Sequence, residues 1–339
     1  MAERAGVSVK TVSNVVHGYV HVRPETRQRV QTALHELNYR PNLSARSLRR
    51  GRSGVIALAI PALDMPYFAE LASSIVEAAA ERGWTVLVDQ TDGLRERELE
   101  IAGGLSGRLI DGLILSPVGL DRHEIDQSHE DTPLVLLGEK IAGGAVDHVA
   151  VDNVEAARAA TAHLLGLGRS RIAAIGYQDR AHSASGVAAL RRRGYEQALG
   201  EVGLRVERRL TPSIEGYRRA DGAEAMAVLL DLPEPPDGVF CFNDQLALGA
   251  LRALAERGVR VPDDVAVIGF DDIEDGRFSC PSLSTVAPSK RDIARKAVEM
   301  LHDRISGRSD LPARDVEVDF RLVPRESTIG RAHSRPSTT

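Results

Sequence analysis

Beyond residue 53, the hydrophobic positions of the chain fall into short continuous runs that alternate with longer amphipathic segments. These longer segments are rich in Ala, Glu and Arg and have helical character. Short apolar runs bounded by helices predict parallel strands that are covered on both faces. We therefore expect an α/β body of doubly wound type, and the number of strand–helix units indicates two sheets. The runs are GVIALAI (54–60), WTVLVDQ (84–90), DGLILS (111–116), LVLLG (134–138), RIAAIG (171–176), DGVFCF (237–242) and VAVIGF (265–270).

The N-terminal residues show helical spacing instead. Residues 2–5 have the composition of the end of a helix, residues 6–8 that of a tight turn, and residues 9–16 that of a second helix with Ser8 as its N-cap. A third helix would begin at Pro24, because proline suits the first helical turn. This order predicts a helix-turn-helix motif. The apolar positions of the third helix are Val30, Ala33, Leu34 and Leu37, and Asn38 and Pro41 would end it.

The second helix has an apolar and a polar face. Its apolar residues Val12, Val15 and Val16 can share a core with Val7, which leaves the other side chains near the outer face. An outward helix with short polar side chains suits the major groove of DNA, where Lys can donate to guanine and Asn can pair with adenine. The candidate DNA-contacting residues here are Ser8, Val9, Lys10, Thr11, Ser13 and Asn14.

Charge is distributed unevenly along the chain. Residues 2–53 contain ten basic and three acidic residues, a net charge of +7, whereas the whole chain carries −5, so the remainder carries −12. A basic head on an acidic body favours a local phosphate-contacting surface and argues against membrane binding.

The head matches the spaced motifs AGVS-x-x-TVS-x-V and LNY-x-PN-x-x-AR-x-L, and with them the sequence resembles the LacI/GalR family of bacterial transcription regulators along nearly its whole length. The resemblance implies that Val9, Lys10 and Asn14 contact bases in the major groove. It also implies a hinge helix from about 42 to 50 in the minor groove. The residues of this segment expected to contact DNA are Asn42, Ala45, Arg46, Leu48 and Arg49.

Leu48 is the residue that the resemblance places in the central base step. An apolar side chain flanked by Arg46 and Arg49 can unstack a step while its neighbours hold phosphates. Substituting it should weaken operator binding. The alternative is that Ser44 to Arg52 is a solvated linker.

The sequence departs from the family at its beginning. Family members have several residues before the match to AERAGVS, whereas here Met1 directly precedes Ala2. The first helix is therefore expected to be about half missing. We expect a translation start upstream of Met1 that completes it, and the alternative is a weakened head.

Composition narrows the class of protein. With 339 residues, 43% hydrophobic and 27% charged, the chain is expected to be soluble and cytoplasmic, with two or three domains and no signal peptide or membrane span. Cys241 and Cys280 lack metal-ligand spacing and are expected to be reduced packing residues. No GxGxxG or GxxxxGK[ST] motif follows a strand. We expect neither a cofactor nor a metal.

The resemblance implies a body similar to periplasmic sugar-binding proteins, in which two lobes enclose a ligand cleft. The predicted domains are a head (1–41), a hinge (42–53), a body (54–330) and a disordered tail (331–339). The predicted lobes are 54–166 with 288–317, and 167–287 with 318–330. We expect a homodimer, because one short hinge helix does not hold alone in water.

Polar and aromatic residues follow several of the predicted strands. Carboxylate, amide and guanidinium groups at strand ends can bond the hydroxyls of a sugar while an aromatic face covers its C–H side. The resemblance implies that Arg191 and Asp271 grip opposite edges of the ligand. The full set implied to line the pocket is Tyr67, Phe68, Asn153, Arg191, Tyr217, Asn243 and Asp271.

Structural roles are open for several strand-end residues. Asp244 and Asp272 are expected to be helix N-caps, and Asn243 could also be one. Tyr67 and Phe68 could be core residues of the following helix.

Two other classes of protein remain as alternatives. Asp271 and Asp272 could act as acid and base in a glycoside-processing enzyme, but adjacent residues of an extended segment point to opposite faces. A plain sugar-binding protein would need an export signal and no basic head. The sequence therefore favours a DNA-binding regulator, a repressor controlled by a sugar-like effector, without enzymatic activity.

Overall fold

The computed structural model describes residues 1–16, 19, 21–37, 52–103, 110–128, 132–138, 144–178, 186–307 and 312–330. It divides into two compact units, residues 1–54 and residues 55–339. The predicted hinge helix at 42–50, with Asn42, Ala45, Arg46, Leu48 and Arg49, lies outside the described residues, as does the predicted tail at 331–339.

The described residues of the head form three helices, α1 (Ala2–Ala5), α2 (Val9–Val16) and α3 (Pro24–Glu36). The turn between α1 and α2 requires Gly6, whose φ of 61° is left-handed. The three helices share the predicted core, which is confirmed except at Leu37. That residue is the C-cap of α3 and is 49% exposed, because the helix ends at Glu36 before its next turn is complete. The buried core residues are Ala5, Val12, Val15, Val30 and Ala33.

The described residues of the body form two sheets. Their strands are β1 (Val55–Ile60), β2 (Thr85–Gln90), β3 (Gly112–Leu115), β4 (Leu134–Leu137), β5 (Asp147–Ala150), β6 (Ile172–Ile175), β7 (Gly238–Cys241), β8 (Ala266–Phe270), β9 (Ser284–Pro288), β10 (Asp315–Glu317) and β11 (Phe320–Val323). The first sheet has the strand order β10-β5-β4-β3-β1-β2, and each of its described pairings is parallel. The second has the order β11-β9-β8-β7-β6 and is parallel except for the pairing of β11 with β9.

Helices cover these sheets, which confirms the doubly wound α/β prediction, and each of the seven predicted runs contains a strand. A short 3₁₀ turn lies at Arg208–Leu210. The helices are α4 (Pro66–Ala80), α5 (Arg95–Ala102), α6 (Arg122–Ser128), α7 (Asn153–Gly166), α8 (Gly186–Glu201), α9 (Arg219–Leu230), α10 (Asp244–Glu256), α11 (Glu274–Phe278), α12 (Lys290–Ile305) and α13 (Glu326–Ile329).

Each sheet has its own hydrophobic core. Helices α4 and α12 bury Ile75 and Val298 against Leu58 of the first sheet. Helix α7 belongs to the second core, where Ala160 and Leu164 are fully buried with Phe240. The predicted lobe boundary after residue 166 is therefore wrong, and the chain first crosses between the sheets before α7. An Ala-rich helix carries no signal in its sequence that says which sheet it covers.

Within the described ranges, the structure contains no helix that is long and apolar enough to span a membrane.

Candidate functional sites in the head and the cleft

The outer face of α2 presents the side chains predicted to contact DNA. Val9 is 76% exposed, although branched aliphatic residues are usually buried. Next to it, Lys10 is exposed as well. The Ser8 hydroxyl accepts a hydrogen bond from the Thr11 amide at 3.1 Å, which confirms Ser8 as the N-cap. Thr11, Ser13 and Asn14 are half-buried.

Part of the positive charge of the head is used inside the head. The Arg29 guanidinium donates hydrogen bonds of 2.7 and 3.1 Å to the carbonyl of Ala5 and of 2.8 Å to that of Gly6. These carbonyls end α1, where a cation is favourable. Arg4 pairs with Glu36 at 2.8 Å. Such arginines brace the helix-turn-helix from within, a role that a count of charges does not reveal.

The cleft between the two sheets encloses a cavity of about 310 Å³. It lies at the carboxyl ends of the parallel strands, the usual place for a ligand in α/β folds. Six of the seven predicted effector-binding residues line it, and Asn153 does not. The six are Tyr67, Phe68, Arg191, Tyr217, Asn243 and Asp271.

Arg191 projects from α8 into the second-sheet wall of the cavity, with a side chain only 11% exposed. Its guanidinium stacks 3.5 Å above the ring centroid of Phe270 and donates to the carbonyl of Phe242. The Arg191 Nε donates to the Oδ1 of Asn153 at 2.7 Å, and the Asn153 amide in turn donates to the Val151 carbonyl. Asn153 therefore orients Arg191 from behind, at the first residue of α7, instead of lining the cavity.

Arg191 and Asp271 are neighbours. The Arg191 Nη2 lies 3.9 Å from the Asp271 Oδ1, so the two charged groups lie on the same wall of the cavity, whereas the resemblance implied contacts to opposite edges of a ligand. Both residues belong to the lobe that contains the second sheet: Arg191 lies on α8, and Asp271 directly follows β8. Together they present a cation and an anion side by side, which suits adjacent donor and acceptor groups on one edge of a ligand.

Asp272 turns away from Asp271, although not because the segment is extended. The φ angles are 114° at Asp271 and 49° at Asp272, in the left-handed region that residues other than glycine seldom adopt. The Asp272 carboxylate binds Arg325 at 2.5 Å and Arg277 at 3.0 Å. Burial would raise the pKa of Asp272, but these arginines outweigh it and hold that pKa below its ordinary value. Asp272 is not the predicted N-cap, because Ile273 occupies that position of α11.

Asn243, not Asp244, caps α10. The Asn243 Oδ1 accepts from the Leu246 amide at 2.8 Å, and its Nδ2 donates to the Tyr217 carbonyl at 3.1 Å, so capping and cavity lining coincide. The Tyr217 hydroxyl donates to the Gly176 carbonyl at 2.9 Å, and burial raises the pKa of Tyr217 to about 12. Tyr217 therefore offers the ring of a neutral phenol to the cavity.

Asp244 is fully buried next to Asn243 and does not itself line the cavity. Its carboxylate accepts from the Thr285 hydroxyl at 2.7 Å and from the Ile273 amide at 3.0 Å. Burial, followed by repulsion from Asp271, raises the pKa of Asp244 well above its ordinary value. The space around this carboxyl requires Gly269, where an added Cβ would lie 2.1 Å from the Asp244 Oδ1.

The first-sheet side of the cavity is mostly apolar, and sequence analysis predicted only Tyr67 and Phe68 there. Their rings meet edge to face at 5.3 Å and also pack on the first core, so both of the roles left open apply. Most of the other residues lie at or directly after the ends of strands β1, β3, β4 and β5, whereas Ile293 lies on α12. The strand-end rule applied to every run would have found most of them. They include Pro61, Ala62, Met65, Ser116, Pro117, Val118, Leu137, Val151 and Ile293.

Comparison with known proteins agrees with this architecture. Residues 1–42 match the family described as bacterial regulatory proteins, lacI family, and residues 161–328 match the periplasmic binding protein-like domain. The HTH-type transcriptional repressor PurR of Mannheimia succiniciproducens is 32% identical, over 96% of this chain and 97% of the repressor. The chain belongs to the lacI family of bacterial regulatory proteins. Its head is therefore a DNA-binding domain and its body a ligand-binding domain of that family.

Solved structures of family members are similar along most of the chain. A LacI-family regulator from Sanguibacter keddieii DSM 10542 is 51% identical, covers 82% of this chain and all of its own, and has a TM-score of 0.75. The regulator CelR in complex with cellobiose is 30% identical over 96% of this chain and 98% of its own, with a TM-score of 0.70. The lac repressor dimer bound to operator and the anti-inducer ONPF is 27% identical over 96% and 97%, with a TM-score of 0.82.

Proposed function

We propose that this regulator is a repressor whose affinity for operator DNA is controlled by a sugar bound in the cleft cavity. The observation that carries the proposal is the pairing of Arg191 with Asp271 on one wall, 3.9 Å apart, opposite the aromatic residues Tyr67 and Phe68 on the other. A sugar offers neighbouring hydroxyls to such a charged pair and a C–H face to aromatic rings. Related proteins with cellobiose and with ribose bound support this ligand class.

The proposed contacts with DNA are those of α2, with Val9, Lys10 and Asn14 toward base edges. An exposed valine can contact a thymine methyl, and Lys and Asn supply the hydrogen bonds that distinguish guanine and adenine. The protein would do this in the cytoplasm, where the operator lies.

The proposed assembly is a homodimer on a two-fold-related operator. Strand β2 is an edge strand of the first sheet, and it exposes 51% of Leu87 and 38% of Val88. An exposed apolar edge strand offers unpaired backbone groups and apolar side chains with which a second chain can pair. The related lac repressor was solved as a dimer on its operator.

We assign no catalytic step to the cavity. The carboxylates of Asp271 and Asp272 bind different arginines and do not face a common point, as the two carboxylates of a glycosidase must. The relatives compared above are named as regulators.

The test combines operator binding with a sugar panel. The operator is selected from genomic fragments, and its affinity is measured by fluorescence anisotropy with and without cellobiose, ribose and other mono- and disaccharides. We expect one sugar to weaken the complex of the wild-type protein. Arg191→Ala should lose this response and keep its sugar-free operator affinity within a few-fold, because Arg191 lies in the body.

Arg192→Ala is the matched control. Arg192 is the next residue of α8, is 55% exposed and pairs with Glu196 outside the cavity, so its removal should leave the response intact. If Asp271→Ala and Arg191→Ala both retain full sugar-dependent release, the cavity assignment is wrong. If no genomic fragment binds with an affinity that falls as the salt concentration rises, the assignment of the head as a DNA-binding domain is wrong.

A further inference from the structure

The carboxylate of Asp271 depends on an unusual backbone conformation. Asp271 and Asp272 are consecutive non-glycine residues whose φ angles are both positive, 114° and 49°. Such conformations persist only where surrounding contacts over-determine them, and they concentrate at functional sites. The contacts that hold this turn therefore decide where the Asp271 carboxylate lies.

Lys290, the first residue of α12, supplies the central contact. Its ammonium donates to the carbonyl of Asp271 and, at 3.1 Å, to that of Asp272, and its side chain is only 13% exposed. On the other side of the turn, the Asp271 amide donates to the Val286 carbonyl at 2.8 Å. The peptide group on each side of the Asp271 Cα is thus tied down, which fixes the direction of its side chain.

Glu70, on the neighbouring helix of the first lobe, holds Lys290 and also contacts the second lobe. The Glu70 Oε2 lies 2.9 Å from the Lys290 ammonium, and its Oε1 accepts from the amide of Glu274 at 2.9 Å. Glu70 stands on α4, less than one turn beyond Tyr67 and Phe68 of the opposite cavity wall. With this carboxylate and two carbonyls, the three protons of the Lys290 ammonium all have acceptors.

We propose that Lys290, on α12 of the first lobe, is a positioning residue for the Asp271 carboxylate of the second lobe, and that Glu70, on the neighbouring helix α4, holds Lys290 in place. Neither residue lines the cavity, so both would act on ligand affinity through the turn at 271–272. The effect on ligand affinity rests on the proposed function, whereas the contact between Lys290 and the turn does not.

The first measurement needs no ligand. Amide hydrogen exchange is followed in the full chain for wild type, Lys290→Met and Lys296→Met. Methionine keeps the length and apolar stem of lysine but cannot donate. We expect at least tenfold faster exchange at Asp271 and Glu274 in Lys290→Met only, because Lys296, on the same helix, pairs with Glu299 at the surface. Exchange as slow as in wild type would overturn the proposal.

The second measurement separates positioning from general stability. Cellobiose and ribose are titrated by calorimetry into wild type, Lys290→Met, Asp271→Ala and the double variant. We expect Lys290→Met to lower affinity at least tenfold alone and to have no further effect beside Asp271→Ala. A merely structural role would lower affinity equally in both backgrounds, which would overturn the proposal.

Glu70→Gln keeps the test decisive if Lys290→Met does not fold. It retains an oxygen for the Glu274 amide while removing the charge beside Lys290, so exchange at Asp271 should rise without loss of the fold. If neither sugar binds the wild-type protein, the proposed function fails for these ligands. The exchange result then still decides whether Lys290 holds the turn.

Discussion

Asp244 shows how much one buried acid can depend on its surroundings. It has no exposed surface, lies near two further carboxylates and is the first residue of α10. With its pKa well above the ordinary value, the neutral carboxylic acid is the form that the folded protein favours. Placing the acid there costs stability whenever the unfolded chain can ionise it.

Asp244→Asn should therefore stabilise the protein increasingly as pH rises. The folded pKa lies above the unfolded value of about 4, so the contribution of Asp244 is fully present below about pH 4 and is lost as pH rises toward the folded pKa. In the variant, the amide oxygen can accept from Ile273 and the amide nitrogen can donate to Thr285, whose hydroxyl already reaches the Val286 carbonyl.

Urea unfolding at about pH 5, 6, 7 and 8 measures this difference in the free energy of unfolding. It should grow with pH, by up to about 1.4 kcal/mol per unit. A difference that stays constant across this range would mean that Asp244 ionises freely in the folded protein.

The residues of the cavity could be predicted from the sequence only where they follow a strand. Asp271 and Asn243 do so, and Arg191 came from family resemblance. Lys290 could not be found in this way, because its role depends on carbonyls 19 residues earlier in the chain. Glu70 accepts a hydrogen bond from the amide of Glu274, which lies 204 residues later in the chain, and only the fold brings the two together.

At the scale of elements, the head illustrates the difference between a basic residue and a DNA contact. Arg29 belongs to the +7 charge that identified the head, yet its guanidinium is occupied by the carbonyls of Ala5 and Gly6. It joins α3 to the turn between α1 and α2. A helix as short as α1 depends on such contacts, since few of its hydrogen bonds are internal.

We expect Arg29→Met to weaken operator binding by destabilising the head, with the salt dependence of binding unchanged. Loss of hydrogen bonds from a charged donor costs about 1–3 kcal/mol. Removal of a phosphate contact would instead lower the slope of affinity against salt by about one. Anisotropy titrations across a range of KCl concentrations distinguish the two.

Arg23→Met is the control for charge alone, because Arg23 is exposed at the N-cap of α3. It should leave the thermal stability of the head unchanged. If Arg29→Met lowers the salt slope without lowering that stability, Arg29 contacts DNA in the complex and the bracing role is wrong.

Secondary structure was predictable where the pattern was long or strongly apolar. Strands β5, β9, β10 and β11 lie outside the seven predicted runs. Strands β5, β10 and β11 are short, and β10 is partly exposed. Strand β9, STVAP, is fully buried but ends in proline and begins with two hydroxyl residues, a weak signal for a strand. Its neighbours in the sheet determine its conformation.

At the scale of the whole molecule, an exposed ion pair joins the two lobes. Arg218, the N-cap of α9, binds Asp64 of the loop after β1 at 2.7 Å. Both side chains are more than 60% exposed, so water and salt screen the pair. We expect Asp64→Asn to change sugar affinity by less than about threefold, far less than Lys290→Met. Calorimetry at low and high salt tests this, and a tenfold change would show that this exposed pair controls closure.

Dimer formation is expected to use the edge of the first sheet. Leu87 is 51% exposed on edge strand β2 and does not line the cavity. Leu87→Glu would bury a charge in any contact between edge strands, so we expect a monomer at micromolar concentration by light scattering. Operator affinity should fall by orders of magnitude, because each head then binds its half-site alone. Sugar binding should persist, because the cavity lies within one chain.

Val202→Glu is the control, since Val202 is 57% exposed beyond the end of α8 in the second lobe and should leave the dimer intact. If Leu87→Glu remains dimeric and binds operator as wild type does, β2 does not form the interface, and another face of the body must join the two copies.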